Sequence, residues 1–343
     1  MGEIKIRKSG LLTLIQDHGR YGYQQFGVPV SGVMDGFSHR VANILVGNNE
    51  NDAVLEITIM GPEIEFMNDS IIAITGGNLS PNLNGNSVSM WESIHVKKGD
   101  ILSFGSIKNG CRSYISFLGG IQVEKVMGSS STYVKAKIGG LHGESLKKGD
   151  TLKIGDLGNK IESTKYKKLP HEYMPTYSSK LEIRVVLGPQ DDYFTQSGLD
   201  KFLSNEYKVT NECDRMGYRL EGEPIEHING GDIISDGINF GAIQIPSHGQ
   251  PIIMMSDRQT AGGYTKIANV ISVDLSKIAQ AKPGDFIEFK KISIYEAQKL
   301  LKEMEETIEN IKEICDKEKV VRTNELLLNV NGKEYDIKVE ELA

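Results

Sequence analysis

Glycine interrupts this chain at 37 of 343 positions, and that punctuation constrains the fold more than any other feature. Between the glycines stand short β-branched runs at residues 4–6, 54–59, 71–75, 101–104, 114–118, 181–187, 243–245, 252–255 and 286–289. Short runs bounded by turn residues read as strands. Their density predicts a mainly β protein of barrels or sandwiches rather than alternating βαβ units.

One turn pattern occurs three times, as Lys97-Lys98-Gly99-Asp100, Lys147-Lys148-Gly149-Asp150 and Lys282-Pro283-Gly284-Asp285. Each feeds an alternating run, with Gly supplying a positive φ and Asp bonding its local backbone, so the plain reading is a hairpin turn. A second echo pairs Met60-Gly61-Pro62 through Phe66 with Leu187-Gly188-Pro189 through Phe194. Together they predict two related β-barrel domains, 1–165 and 181–292, joined by a polar, basic linker over 166–180 that carries Pro170 and Pro175. The extension 293–343 differs. Ser293 and Glu296 make a capping box, and Ile294, Ala297, Leu301, Met304, Ile308, Ile311 and Cys315 form a heptad seam. That pattern predicts a helix packed on the body of the protein. Beyond it, 326–330, the turn Asn331-Gly332 and 335–339 predict a hairpin. It is similar to the opening hairpin of biotin-carrier domains, but no biotin-acceptor lysine motif follows, so no biotin is expected on this chain.

A formal net charge of −7 argues against non-specific binding to nucleic acid or to anionic membrane. No apolar run is long enough to span a bilayer, and the first residues lack a signal-peptide core, so a cytoplasmic location is expected. Cys111, Cys213 and Cys315 stand far apart, and the seven histidines form no HxxxH or HExxH pattern. Neither a disulfide framework nor a metal site is expected. Neither a GxxxxGK[ST] loop nor a strand-linked GxGxxG occurs. Gly128-Ser129-Ser130-Ser131 lacks the closing glycine of a nucleophile elbow.

Chemistry-bearing residues concentrate in 254–274. An apolar run delivers Asp257, Arg258 and Gln259 to a loop carrying Thr260, Gly262, Gly263, Tyr264 and Lys266 ahead of a second apolar run. A plain hairpin turn needs none of these charges. Arginine offers a planar fork to a carboxylate or phosphate, carboxamides both donate to and accept from an amide, and glycines let backbone N–H groups approach a ligand. Asp257, Arg258 and Lys266 are therefore the expected catalytic residues, with Lys266 placed to neutralise a developing oxyanion. Gln259, Thr260, Gly262 and Gly263 are expected to bind substrate, together with Arg215 and Tyr218 of 214–220 and Asp236 and Gln244 of 236–246. These types suit a substrate with both an amide and a carboxylate, and their spacing alone names no reaction. Asp17 and Arg20 read as a surface pair, and Thr75-Gly76-Gly77 as a strand-ending turn.

The ordered strings LLTLIQDHGRYGYQ, GVPVSGVMD, ANILVGN, LEITIMGP, FLGGI, DRMGYRLEG, ISDGINFGAIQIP and SDRQTAGGYTKIANVIS resemble the family called allophanate hydrolase subunit 2, or biotin-dependent carboxyltransferase-like. Its stand-alone members are the KipA-type C subunits of 5-oxoprolinase. The resemblance runs from about residue 4 to residue 289. It implies cyclophilin-like β-barrels, partnership with the KipI-type B and the A subunits of 5-oxoprolinase, and ATP-dependent conversion of 5-oxo-L-proline to L-glutamate. ATP, with Mg2+, would occupy a site shared with a partner. Two alternatives stay open: a regulatory module that binds a KipI-type kinase inhibitor, and a carboxyltransferase-type subunit with urea or a related amide for its substrate. His18 and His248 depart from the usual pattern, and the extension from Ser293 matches it weakly.

Overall fold

In the first half, alternation does most of the sorting. The strand Gly2–Lys8 buries every second residue up to Ile6 and turns Glu3, Lys5 and Arg7 outward, as a sheet with one wet face requires. The computed structural model describes residues 2–155, 164–316, 320–330 and 333–342. Two antiparallel sheets share one core here. The seven-stranded sheet runs in the order Ile121–Gln122, Thr151–Ile154, Gly2–Lys8, Glu63–Phe66, Ile101–Phe104, Pro81–Leu83, Asn86–Ser87. The five-stranded sheet runs Leu12–Gln16, Val54–Thr58, Asn109–Phe117, Ser70–Asn78, Ser93–Val96. Ile4, Phe66, Ile72, Ile115 and Phe117 fill the space between them, with the Phe66 and Phe117 rings 6.4 Å apart. Each fully buried Ile or Phe contributes roughly 1.5–3 kcal/mol.

Among the described residues four α-helices accompany the strands: α1 (Gly36–Val46), α2 (Gln196–Ser204), α3 (Leu275–Gln280) and α4 (Ile294–Asp316). Helix α1 packs on the five-stranded sheet. Asp35 caps it, its carboxylate accepting from Ser38 N at 3.0 Å, and Gly47 ends it in the left-handed region at φ 78°.

The second half closes on itself. Lys180–Leu187, Phe286–Lys291, Glu206–Cys213, Gly217–Glu221, Ile252–Met254, Ala242–Ile245 and Ala261–Val270 are hydrogen-bonded in that order, and Ala261–Val270 pairs back onto Lys180–Leu187. The result is a seven-stranded barrel. Only Lys180–Leu187 and Phe286–Lys291 run parallel; the other neighbours are antiparallel. Asp232–Gly237 is added outside the ring, paired to the start of Ala261–Val270. The barrel core holds Ile183, Phe202, Tyr207, Ile243, Ile267 and Phe289 among others. The fold is thus mainly β and barrel-forming, with a C-terminal helix.

The three repeated turns share one geometry. Asp100, Asp150 and Asp285 accept from the backbone N of Lys97, Lys147 and Lys282 at 2.7, 2.7 and 3.0 Å. The glycines between sit at φ 89°, 99° and 91°. Each turn launches a strand. The Gly-Pro echo does not survive: Glu63–Phe66 is a strand, whereas Asp191–Tyr193 is a 3-10 turn. Similar dipeptides fix a turn, and the sheet partner beyond it decides the rest.

Ser293 caps α4 as expected, accepting from Glu296 N at 3.1 Å. Only the far end of the heptad seam is covered. Ile308, Ile311 and Cys315 enter the core of the first half, while Ile294 and Leu301 are 65% and 37% exposed. The predicted linker is docked too, with Leu169 fully buried in that same core. Val320–Val330 and Lys333–Leu342 form the terminal hairpin; its Asn331-Gly332 turn lies outside the described residues.

Candidate functional site at the seam between the halves

The loop after Ile252–Met254 meets the first half along a buried polar seam. Arg215 is the hub. Its Nε and Nη2 donate to both oxygens of Asp257 at 2.9 and 3.0 Å, Nη2 also donates to the Gly32 carbonyl at 2.6 Å, and Nη1 pairs with Glu56. Burial alone would lower the guanidinium pKa, but the carboxylates of Asp257 and Glu56 more than reverse it. The other oxygen of Glu56 accepts from Met34 N at 2.8 Å and Tyr114 Oη at 3.0 Å. Two buried acids around one arginine, each of whose three nitrogens donates, form the kind of paired network that a low-dielectric interior demands.

A second joint lies deeper. Gln280, the last residue of α3, reaches into Asn109–Phe117 where its pairing with Ser70–Asn78 skips register between Asn109 and Ser113. Its Oε1 accepts from the backbone N of Cys111 and Arg112 at 3.1 and 3.0 Å. Its Nε2 donates to the Arg112 carbonyl and to Asp35, both at 2.9 Å. One carboxamide thereby stands in for the missing ladder. A Cβ on Gly110 or Gly77 would come within 2.7 or 2.9 Å of that Oε1, so both positions need glycine. Arg112 donates to the Ala279 carbonyl at 2.6 Å and to Tyr218 Oη at 2.5 Å. Tyr218 in turn donates to the Ala281 carbonyl at 3.2 Å.

The pair read as lying on the surface, Asp17 and Arg20, is buried. Asp17 accepts from Ser129 Oγ, Ser130 N and Gly19 N at 2.7, 2.6 and 2.9 Å, and from Ser131 Oγ as well. Burial raises its pKa, but these donors together outweigh that and hold it below the usual carboxylate range. Arg20 does not pair with it directly; it donates to the Val126 and Ser131 carbonyls at 3.0 and 2.8 Å. The triple serine is thus an anchor for a carboxylate. Its signal was present in the sequence, but the acid it serves stands over a hundred residues earlier in the chain.

The predicted binding loop is shorter than its sequence pattern implies. Strand Ala261–Val270 already contains Gly262, Gly263, Tyr264 and Lys266, because its first residues pair with Asp232–Gly237. On the outer face of the barrel, Gln244 lies beside Lys266 across the ladder. Lys266 is buried and donates to Asp236 at 2.9 Å, which holds the Asp236 pKa below its ordinary value. A Cβ at Gly262 would fall 2.6 Å from Ile238 Cδ1 and 3.0 Å from Gln244 Nε2, so glycine leaves room for that carboxamide.

A groove of about 550 Å³ opens here, lined by Gln244, Gln259, Tyr264, Lys135, Asp214 and Met216 among others. Gln244 is only 1% exposed, and its Nε2 has no hydrogen-bond partner. Thr260 uses its carbonyl to hold Ile238 N at 3.1 Å. The predicted residues therefore divide. Gln244, Gln259 and Gly262 gather at the groove, with Lys266 and Asp236 alongside and Gly263 in the same strand. Arg215 and Tyr218 point into the seam with every polar group engaged. Arg258 turns to the opposite side of the loop, donating to the Ile238 and Met255 carbonyls at 3.0 and 3.3 Å.

A closed seven-stranded barrel docked on a second β core through a buried charged seam defines a mainly β, barrel-containing protein. Residues 26–291 match the family described as carboxyltransferase domain, subdomain A and B, and the chain belongs to that family. It is 36% identical over 309 residues to the C subunit of 5-oxoprolinase from Escherichia coli (strain K12), covering 90% of this chain and 97% of that protein. It is 36% identical to urea amidolyase of Saccharomyces cerevisiae, covering 88% of this chain and 17% of that one. The crystal structure of the Kluyveromyces lactis urea carboxylase superposes with a TM-score of 0.83 at 34% identity, over 90% of this chain and 29% of its own. Among the described residues no helix is long and apolar enough to cross a membrane.

Proposed function

We propose that this chain is the amide-reading subunit of an ATP-dependent 5-oxoprolinase, converting 5-oxo-L-proline to L-glutamate together with the KipI-type B and the A subunits. One observation carries the reading: Gln244, 1% exposed at the wall of the groove and with its Nε2 unpartnered, has a carboxamide whose donor and acceptor match those a lactam presents in reverse. The match with a 5-oxoprolinase C subunit over 90% of this chain and 97% of that protein favours that lactam among amides. Gln244 and Gln259 hold the ring amide, Gly262 and Gly263 keep the wall thin, and Thr260 fixes the loop. Lys266, oriented by Asp236, sits where negative charge gathers on the lactam oxygen. Asp257, both of whose oxygens accept from Arg215, fixes the loop that carries Gln259 and Thr260. Arg215 and Tyr218 serve as positioning residues.

ATP supplies the activation of the lactam oxygen. The sequence carries no GxxxxGK[ST] loop, and among the described residues no group of three or more His, Cys, Asp or Glu side chains could hold a metal ion. We place ATP, with Mg2+, at a site that this chain shares with a partner subunit. Carboxyl transfer to urea is the second reading, favoured by the urea amidolyase match.

The test is oxoproline-dependent ATP hydrolysis by the assembled complex. Gln244→Leu should lower kcat/KM about ten- to hundredfold, the loss of one amide-reading pair, and Asp257→Asn should lower kcat. Full turnover in Gln244→Leu would overturn the groove assignment. Biotin-dependent carboxylation of urea, with no oxoproline turnover, would move the chain to the second reading.

A further inference from the structure

A second hollow, of about 240 Å³, lies on the other side of the loop, between the first half, the barrel and α4. Two of its wall groups, Ser31 and His39, have unmet bonding, and a third, Arg258, has no paired carboxylate among the described residues. Arg258 is 8% exposed, lies over the Phe240 ring at 5.5 Å, and donates through Nε and Nη1 to backbone carbonyls. Among the described residues no carboxylate pairs with it, and burial pushes its pKa down to about 10. Asp257 favours its charged form only from a distance, and a buried cation without a directly paired anion is costly. Ser31 is 4% exposed and held at φ 55°, and its Oγ has no partner. Strain at a buried polar residue is the kind that persists at binding sites. His39 is fully buried and bonds the Asp52 carbonyl through Nε2 at 2.8 Å. A carbonyl only accepts, so Nε2 carries the hydrogen and Nδ1 is left with a bare lone pair and no partner.

The three demands are complementary: an anion for Arg258, an acceptor or donor for Ser31, and an N–H for His39. We propose that this cavity is a separate site for a compact molecule joining a carboxylate to a neighbouring N–H donor, the carboxylate on Arg258 and Ser31 and the N–H on His39 Nδ1. Helix α4 roofs it through Met304 and Ile308, with Glu305 tied to Arg40 at 2.7 Å. The site goes beyond the groove reading and needs no second protein. The extension that the sequence resemblance covers only weakly is here part of the wall.

Calorimetric titration of the full chain tests this, carried out in the Gln244→Leu variant so that the groove contributes nothing. The probe is 5-oxo-L-proline, against cyclopentanecarboxylate, which lacks the N–H, and 2-pyrrolidinone, which lacks the carboxylate. The expected result is one site for 5-oxo-L-proline, with each analogue about tenfold weaker or worse, and loss of that site in Gln244→Leu/Arg258→Met. The ligand series decides the matter even should the double variant fold poorly. Equal binding of cyclopentanecarboxylate, or no binding of any probe, would overturn the proposal and leave buried water as the partner of Ser31 and His39. The groove reading fails separately, by unchanged turnover of the complex carrying Gln244→Leu.

Discussion

At the scale of single residues, buried polar groups divide into those that are satisfied and those that wait. Arg215, Glu56 and Asp257 satisfy one another, so they hold shape. Gln244, Ser31 and His39 do not, and they mark hollows. His39 also carries a pH consequence. Burial pushes its pKa down to about 4 from an ordinary 6.5, so the unfolded chain binds the proton more readily. Its contribution is therefore complete above pH 6.5 and drains away as pH falls toward 4, about 3 kcal/mol in total. In urea unfolding, the stability lost between pH 7 and pH 4 should shrink by about that amount in His39→Gln. An identical pH dependence in the two proteins would mean that His39 is not held neutral.

At the scale of elements, the helix α4 shows what a pattern tells and what it omits. Its heptad spacing and Ser293 cap were legible because both are local. Which part of the seam meets a core was not, since the surface that covers Ile308 belongs to residues far away in the chain. Ile308→Ala should cost about 2–5 kcal/mol in denaturant unfolding, whereas Ile294→Ala should change little. Equal costs would place the whole seam against the protein. The three Asp-Gly turns were legible for the same local reason. The Asp17 anchor and the Arg215 hub were not, because Ser129 and Glu56 reach their partners only after two sheets have formed. Legibility of the site was likewise uneven: 254–274 announced itself by composition, while the turning of Arg258 away from the groove depends on the carbonyls of Met255 and Ile238.

At the scale of the whole molecule, two cores are joined by side chains rather than by a continuous sheet. Gln280 carries an outsized share, since Gln280→Ala leaves the buried N–H groups of Cys111 and Arg112 without acceptors, at about 1–3 kcal/mol each. Scanning calorimetry should show one transition for the wild-type chain and a lower one for Gln280→Ala. Two separate peaks in the wild type would show that the seam does not couple the halves. The barrel itself obeys a rule of parity. Strands around a closed ring can alternate up and down without fault only if their number is even, and here it is seven. One like-directed pair is therefore unavoidable, and it falls between Lys180–Leu187 and Phe286–Lys291, the first and last strands of the ring in chain order. No hairpin can join such a pair. The ring consequently shuts only when its final strand arrives, and a nascent chain that stops short of Phe286 exposes two raw sheet edges to its neighbours.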